Sequence, residues 1–419
     1  MSYENAAKLN GPPIMTHDAS TDATLFKKYD NQSMGDRPKR PLNLTDGSSE
    51  LPMPMNCEQY NPRMLTLARE ANRLTQTALA EEMAVSQPLV ARWESTTDSA
   101  TCPDREQATR LAEILGVAPV LFAVEPPQRP EYGGEFYHRA RAKAKRGEIK
   151  AIHARCAMFE IQVDRLLDGV ELPEGRIPDI DPDNHVGDVE KVAGMARLQM
   201  GVPSGPVDNL VDVIESCGGL VIDRGLEASD MSALCRWVPG LPKLFYLNGN
   251  EPGDRMRLLL AHELGHTVMH FGRDVEFKLA ENQANRFAGA FLMPASEVRR
   301  DFGRRLDLPR LAQLKRKWRV SMQALAYRAH QLGCIDATRF KSIFTQMSRQ
   351  GIRKTEPVPI TRESPLGFKR LVRRHLEAGY SQQQLAELLL LSSARLHEVL
   401  VDNASPDVQE EGVRLRLAR

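Results

Sequence analysis

Apolar residues recur three and four positions apart along most of this chain, and the stretches that break the rhythm are short. Between Pro62 and Phe122 the rhythm divides into four amphipathic segments: MLTLAREANRL, TQTALAEEMA, QPLVARWE and REQATRLAEILG, with the dipeptide VS as a turn between the second and third. VEKVAGMARLQMG and VDNLVDVIESCG predict two more helices. Then the period changes. GLVID, MSALCRWV and LPKLFYLN predict short strands, the last ending at Asn248. Helical spacing returns in RLLLAHELGHTVMH, whose helix is expected to begin near Asp254, and in LAENQANRFAGAFLMP from Leu279 to Pro294. LAQLKRKWRVSMQALAYRAHQLG is helical with Trp318, Val320 and Leu325 as core candidates, and GYSQQQLAELLLLSSARLHEVL closes the periodic chain. The pattern predicts a mainly α protein with a small β-sheet.

Breaks in the pattern set the expected boundaries. Residues 1–57, rich in Asn, Ser, Asp, Pro and Gly, read as a disordered tail in which Met55 is a candidate alternative start. Next are expected a helical domain over 58–125 and a basic helical linker region over 126–204 that opens with PPQRPEYGG. That region carries His138, Arg139, Arg141, Lys143, Lys145, Arg146 and Lys150, which suit either a solvated face or phosphate contacts. A catalytic region is expected over 205–310, a helical extension over 311–355, and, after the linker IRKTEPVPITRESP, a helical basic region over 356–419.

Composition narrows the class. At 419 residues, 42% hydrophobic and 26% charged, the chain suits two to four soluble domains. No apolar run reaches the ~18 residues of a membrane span and no secretory leader is visible, so a cytoplasmic protein is expected. Cys57, Cys102, Cys156, Cys217, Cys235 and Cys334 form no C-x-x-C pair, which predicts reduced thiols. The net charge of +1 says little, but residues 311–419 hold 19 Lys and Arg against 10 Asp and Glu, so that end suits DNA or an acidic protein.

The chemistry is expected in RLLLAHELGHTVMH, where His262, Glu263 and His266 form H-E-x-x-H. Residues four apart on a helix sit nearly above one another, about 6 Å along the axis, so both imidazoles can reach one ion. Glu263 lies to the side, where it can take a proton from a bound water. Leu258, Leu259, Leu260, Ala261, Leu264 and Val268 would bury the helix, and Gly265 would leave room for a substrate or a neighbouring strand. In the following helix Ala284, Phe287, Ala288, Phe291 and Leu292 form the apolar face, while Glu281 and Asn285 share another. A catalytic zinc has three protein ligands and an open position, which makes Glu281 the third ligand and His270 a cap or packing residue. Asn285 would hold the free ring nitrogen of a ligating histidine. Two histidines and a carboxylate suit Zn, with Mn or another divalent ion as alternatives.

The segment TQTALAEEMAVSQPLVARWE forms a helix-turn-helix arrangement. Thr75 caps the second helix, Gln76 follows it, Ala80 permits a close crossing, Val85 fills the turn and Ser86 caps the third helix. Exposed Gln87 and Arg92 would meet base edges, although Pro88 is unusual there and acidic residues outnumber Arg63, Arg69, Arg73, Arg92, Arg105 and Arg110. A module for protein contacts is the alternative. Near the C-terminus Ser381, Gln382, Leu385, Ala386, Glu387, Leu391 and Ser392 align without a gap with Thr75, Gln76, Leu79, Ala80, Glu81, Val85 and Ser86, as in a degenerate second copy or, equally, as any two short amphipathic helices would.

TQTALAEEMAVSQPLVARWE resembles the helix-turn-helix of the XRE family, and RMRLLLAHELGHTVMH followed by ENQANRFAGAFLMP resembles the ImmA/IrrE metallopeptidases over roughly Gly205 to Trp318. The resemblance implies an all-α helix-turn-helix domain, then an α+β zincin-like metallopeptidase domain and a helical C-terminal region. It also implies a single-metal endopeptidase that cleaves an XRE-type repressor and so derepresses stress or mobile-element genes. His262 and His266 would bind the metal, Glu263 would be the base and Glu281 the third ligand. An operator and a homodimer are the further partners implied. The rival reading is a helix-turn-helix transcription factor whose peptidase-like domain senses a metal or metabolite and cuts nothing; another is the DNA-binding half of a toxin-antitoxin pair.

Overall fold

The computed structural model describes residues 57–97, 101–125, 146–168, 170–171, 175–223, 226, 231–303, 305–403 and 416–417. The expected tail (except Cys57) and the part of the basic run from His138 to Lys145 lie outside them. Among the described residues no helix is long and apolar enough to cross a membrane.

The N-terminal domain is four helices: α1 (Pro62–Ala71), α2 (Gln76–Met83), α3 (Gln87–Trp93) and α4 (Arg105–Leu115). Their stops are local. Asn61 caps α1 ahead of its proline, Asp104 and Gln107 form a reciprocal capping box on α4, and Gly116 ends α4 in the left-handed conformation. Met64, Leu65, Leu79, Val90, Trp93, Leu111 and Phe122 fill the core. Two of the cysteines expected to be reduced, Cys57 and Cys102, are joined in a disulfide. They lie 45 residues apart in no motif, so only the folding of α1 to α3 between them brings them together.

α5 (Arg146–Leu166) continues the basic segment as a spine, with Lys150 exposed near its start. Ile152, Cys156, Val163 and Leu166 enter the core beneath the sheet, whereas Met158 and Ile161 enter the core of the N-terminal domain. The basic run masked this, because the apolar spacing begins only after Lys150. β1 (Val170–Glu171), α6 (Val189–Gln199) and α7 (Leu210–Ser216) lead to the sheet.

That sheet consists of β2 (Gly219–Ile222), β3 (Ala233–Arg236) and β4 (Lys243–Leu247), as the short runs predicted. β4 is central, parallel to β2 and antiparallel to β3, with Phe245 opposite both Val221 and Cys235. Side chains alternate across a strand, so Phe245 and Leu247 face one core while Leu244 and Tyr246 face the other. Both faces are covered, and β2 and β3 are the two edge strands.

The first of those cores is roofed by α8 (Gly253–Met269) and α9 (Phe277–Leu292). They cross at Gly265, where an added Cβ would lie 2.9 Å from Phe287 Cδ1. The missing side chain therefore admits a helix, not a substrate or strand. α10 (Ala295–Phe302), α11 (Leu308–Trp318), α12 (Met322–Gln331) and α13 (Ala337–Arg349) follow. The continuous run expected from Leu311 to Gly333 breaks at Arg319, which takes φ +54° and turns the chain between α11 and α12.

The segment read as a linker between α13 and the last helices is instead a strap pinned across α8. Glu356 accepts hydrogen bonds from the Lys315 ammonium and from the first N–H groups of α12, at 2.9 Å from Nζ and 2.7 Å from Met322 N. Glu363 receives Arg257 of α8 and the N–H groups of Leu210 and Val211 at 2.9 and 3.0 Å. Two carboxylates at helix N-termini fix an otherwise irregular segment.

α14 (Gly367–Glu377), α15 (Gln382–Leu388) and α16 (Ser393–Asn403) complete the chain with β5 (Arg416–Leu417), which pairs with β1. The turn between α15 and α16 has the geometry of the one between α2 and α3. Leu390 and Ala84 both take φ +57°, and Leu391 N bonds to Ala386 O at 2.9 Å just as Val85 N bonds to Ala80 O. This second turn packs on the first domain: Ala118 N donates to Leu390 O at 3.1 Å, and Ser392 N to Gly116 O at 3.2 Å.

One buried group where α7 meets the start of α14 makes stability depend on pH. Glu215 of α7 accepts from Leu366 N at 3.2 Å, and burial pushes its carboxyl up from an ordinary 4.5 to about 7. A carboxyl that binds its proton more tightly when folded stabilises the fold fully below about pH 4.5, and that contribution is lost as pH rises through about 7. Urea unfolding of wild type and Glu215→Gln at pH 5 and pH 8 should show the balance moving toward the variant by as much as about 3 kcal/mol. A pH-independent difference would show that Glu215 titrates normally.

Candidate metal centre

Helices α8 and α9 bring His262, His266 and Glu281 together, with one ligand atom from each lying within 4.8 Å of the others. His266 Nε2 is 3.0 Å from His262 Nε2 and 3.3 Å from a Glu281 oxygen, and His262 Nε2 is 3.7 Å from the other. Burial, then the neighbouring imidazole, pulls the His262 ring down to about 4; burial and His270 pull His266 well down too. Both rings are neutral at physiological pH.

The donor set fits a cation. Asn285 Nδ2 donates to Glu281 O at 2.8 Å, which turns Oδ1 toward His262 Nδ1 at 3.2 Å. An amide oxygen only accepts, so the His262 proton sits on Nδ1 and the lone pair on Nε2. That lone pair faces a carboxylate and a second imidazole. A divalent ion resolves this crowding of electron-rich atoms, and no other group of His, Cys, Asp and Glu among the described residues meets the same geometric test.

Glu263 is buried beside this cluster, and its Oε2 accepts from the backbone N–H of Cys235 on the edge strand β3 at 3.0 Å. The carboxylate thus stands between the imidazole cluster and the strand edge. No motif announces this anchor, because it depends on the register of β3. The Cys235 thiol is raised well above its ordinary value by burial and then by Glu263, so it is no nucleophile at neutral pH. His270 caps the end of α8 with its Nδ1 2.9 Å from His266 Nδ1, and its Nε2 lies 2.9 Å from Gln283 Oε1. Gln283 was missed entirely.

Comparison with known families gives two domain matches. Residues 215–330 match the IrrE N-terminal-like domain, and residues 65–122 match the helix-turn-helix family. The chain carries an IrrE N-terminal-like domain behind a helix-turn-helix domain. The IrrE-like match runs from α7 into α12 and so contains the sheet, both site helices and α11. A search of curated proteins finds no match to the chain.

In the helix-turn-helix domain Thr75 caps α2 through Ala78 N at 3.0 Å. Ser86 occupies the N-cap of α3 but makes no side-chain cap bond, contrary to expectation. Pro88 removes one N–H that such a cap would bind, and Leu89 N turns to Ser86 O at 3.0 Å. Gln87 Nε2 donates to Gln76 Oε1 at 2.9 Å, and Gln76 Nε2 to Glu94 at 2.8 Å. These two glutamines lock α3 onto α2, while Arg92 stays exposed. Arg69 pairs with Glu94 at 2.5 Å inside the domain, out of reach of a phosphate.

Proposed function

We propose that this chain is a metal-dependent endopeptidase that cuts a helix-turn-helix repressor and thereby releases the stress or mobile-element genes it holds down. The reading rests on one observation: the convergence of His262, His266 and Glu281 beside a buried Glu263 that faces the edge of β3. An extended peptide can add to that edge as a further strand, which places its carbonyls along the metal centre. His262, His266 and Glu281 would hold zinc, or Mn or another divalent ion. When bound, the ion supplies Lewis acidity, acidifying water and polarising the scissile carbonyl. Glu263 takes a proton from the attacking water and passes it to the leaving amine. Asn285 keeps the His262 lone pair pointed into the site.

The helix-turn-helix domain supports a regulatory substrate. With Thr75, Gln76, Ser86, Gln87 and Arg92 on or beside α2 and α3, it brings the chain to an operator or to a repressor of like shape, alone or as a homodimer. Mapping new protein N-termini in cells that express wild type or His262→Ala tests the reading. A terminus inside a helix-turn-helix regulator, found only with wild type, is expected. Identical sets of termini under inducing stress would sink it.

A further inference from the structure

We propose that His270 and Gln283 act as a hydrogen-bond relay that fixes the tautomer of His266, so that its Nε2 presents a lone pair to the metal. The inference rests on the metal-site reading above and concerns positioning residues, since neither side chain reaches the candidate ion.

The relay has three members and two contacts. Gln283 Oε1 lies 2.9 Å from His270 Nε2, and His270 Nδ1 lies 2.9 Å from His266 Nδ1. The gap between the two Nδ1 atoms has room for one proton. One end decides on which ring it sits. The Gln283 oxygen only accepts, so His270 carries its proton on Nε2 and has a bare Nδ1. That bare nitrogen accepts from His266 Nδ1–H, and the His266 lone pair is left on Nε2, toward His262 and Glu281. Were the Gln283 amide reversed, each proton would shift by one nitrogen, and His266 would point an N–H at the other two donors.

The two histidines are therefore oriented by parallel means. His262, nearer solvent, is held directly by the Asn285 amide; His266, 1% exposed, is held by the Gln283 amide through an intervening imidazole. α9 supplies both amides and Glu281, so the crossing of α8 and α9 that Gly265 permits sets all three at once. A purely packing role would suit leucine better at position 270. Burying an imidazole and an amide in this core is favourable only with their hydrogen bonds made, and here the contacts run in series to a candidate ligand.

The test is zinc affinity of the purified full-length chain, measured by competition with a chromogenic chelator. His270→Leu and Gln283→Met remove the acceptors and should weaken zinc by roughly 10- to 100-fold. His270→Asn and Gln283→Glu restore an acceptor at each place and should recover most of that loss. Nitrogen-15 spectra of the metal-free protein should show His266 as the Nδ1–H tautomer in wild type and as a mixture in His270→Leu. Wild-type affinity in His270→Leu, or equal loss in the Asn and Leu variants, would overturn the relay. If wild type itself binds no zinc, the metal-site reading fails; the His266 tautomer in the metal-free protein then decides the relay on its own.

Discussion

Glu263→Gln should bind zinc as wild type does and cleave its protein substrate about 10²- to 10⁴-fold more slowly. The substitution is nearly isosteric. An amide oxygen in place of Oε2 can still accept from Cys235 N, so the edge of β3 keeps its anchor. His262, His266 and Glu281 are untouched, and with them the proposed ligand set. What disappears is a group able to take a proton. Metal content and cleavage measured on one preparation separate the possibilities. Retained cleavage would remove Glu263 from the role of base, and joint loss of metal and cleavage would make its part structural. The rival reading, a sensor that cuts nothing, gives a different result: its transcriptional response to metal would survive the substitution, since sensing needs no base at that position.

What could be read in advance depended on how local the cause was. The spacing of His262, Glu263 and His266 is a property of one helix, and the convergence of Glu281 and Asn285 follows once a second helix packs on it. The three strands were legible as short apolar runs between turn signals, with β-branched residues in β2 and aromatic ones in β4. Contacts set by the relative placement of elements were not legible. Gln283 meets His270 only at the α8–α9 crossing angle, and Cys235 meets Glu263 only in one register of β3. The same holds for Phe287 against Gly265. Cys57 and Cys102 carry no motif to announce their pairing. The helix break at Arg319 escaped notice because an arginine there gives none of the warning that a glycine would. The buried face of α5 was hidden by charge, though its helix was expected, and the strap was hidden by prolines that suggest a solvated linker although two of its glutamates are buried partners.

Glu363→Ala should destabilise the IrrE-like domain by about 3–5 kcal/mol, the usual result of removing one member of a buried ion pair. Arg257 is 1% exposed, and Glu363 is the carboxylate that faces it. Without Glu363 the guanidinium keeps the Val207 and Asp208 carbonyls, at 2.6 and 3.3 Å, and the nearby Asp208 charge, while the Leu210 and Val211 N–H groups lose their acceptor. Glu363→Gln retains a hydrogen-bond acceptor without the charge, so its stability should fall between wild type and alanine. Replacing both partners, as Arg257→Met with Glu363→Met, should recover part of the loss, because the stranded charge is then gone while the Leu210 and Val211 N–H groups remain without Glu363. Chemical denaturation of the four proteins gives the order directly, and an alanine variant as stable as wild type would show that the strap does not hold α8. The consequence reaches the chemistry, since Arg257 stands five residues before His262 on the same helix. If the pin matters for the site, zinc affinity should weaken in Glu363→Ala even at temperatures where the protein remains folded, because α8 is then free to shift against α9 and the donors no longer converge.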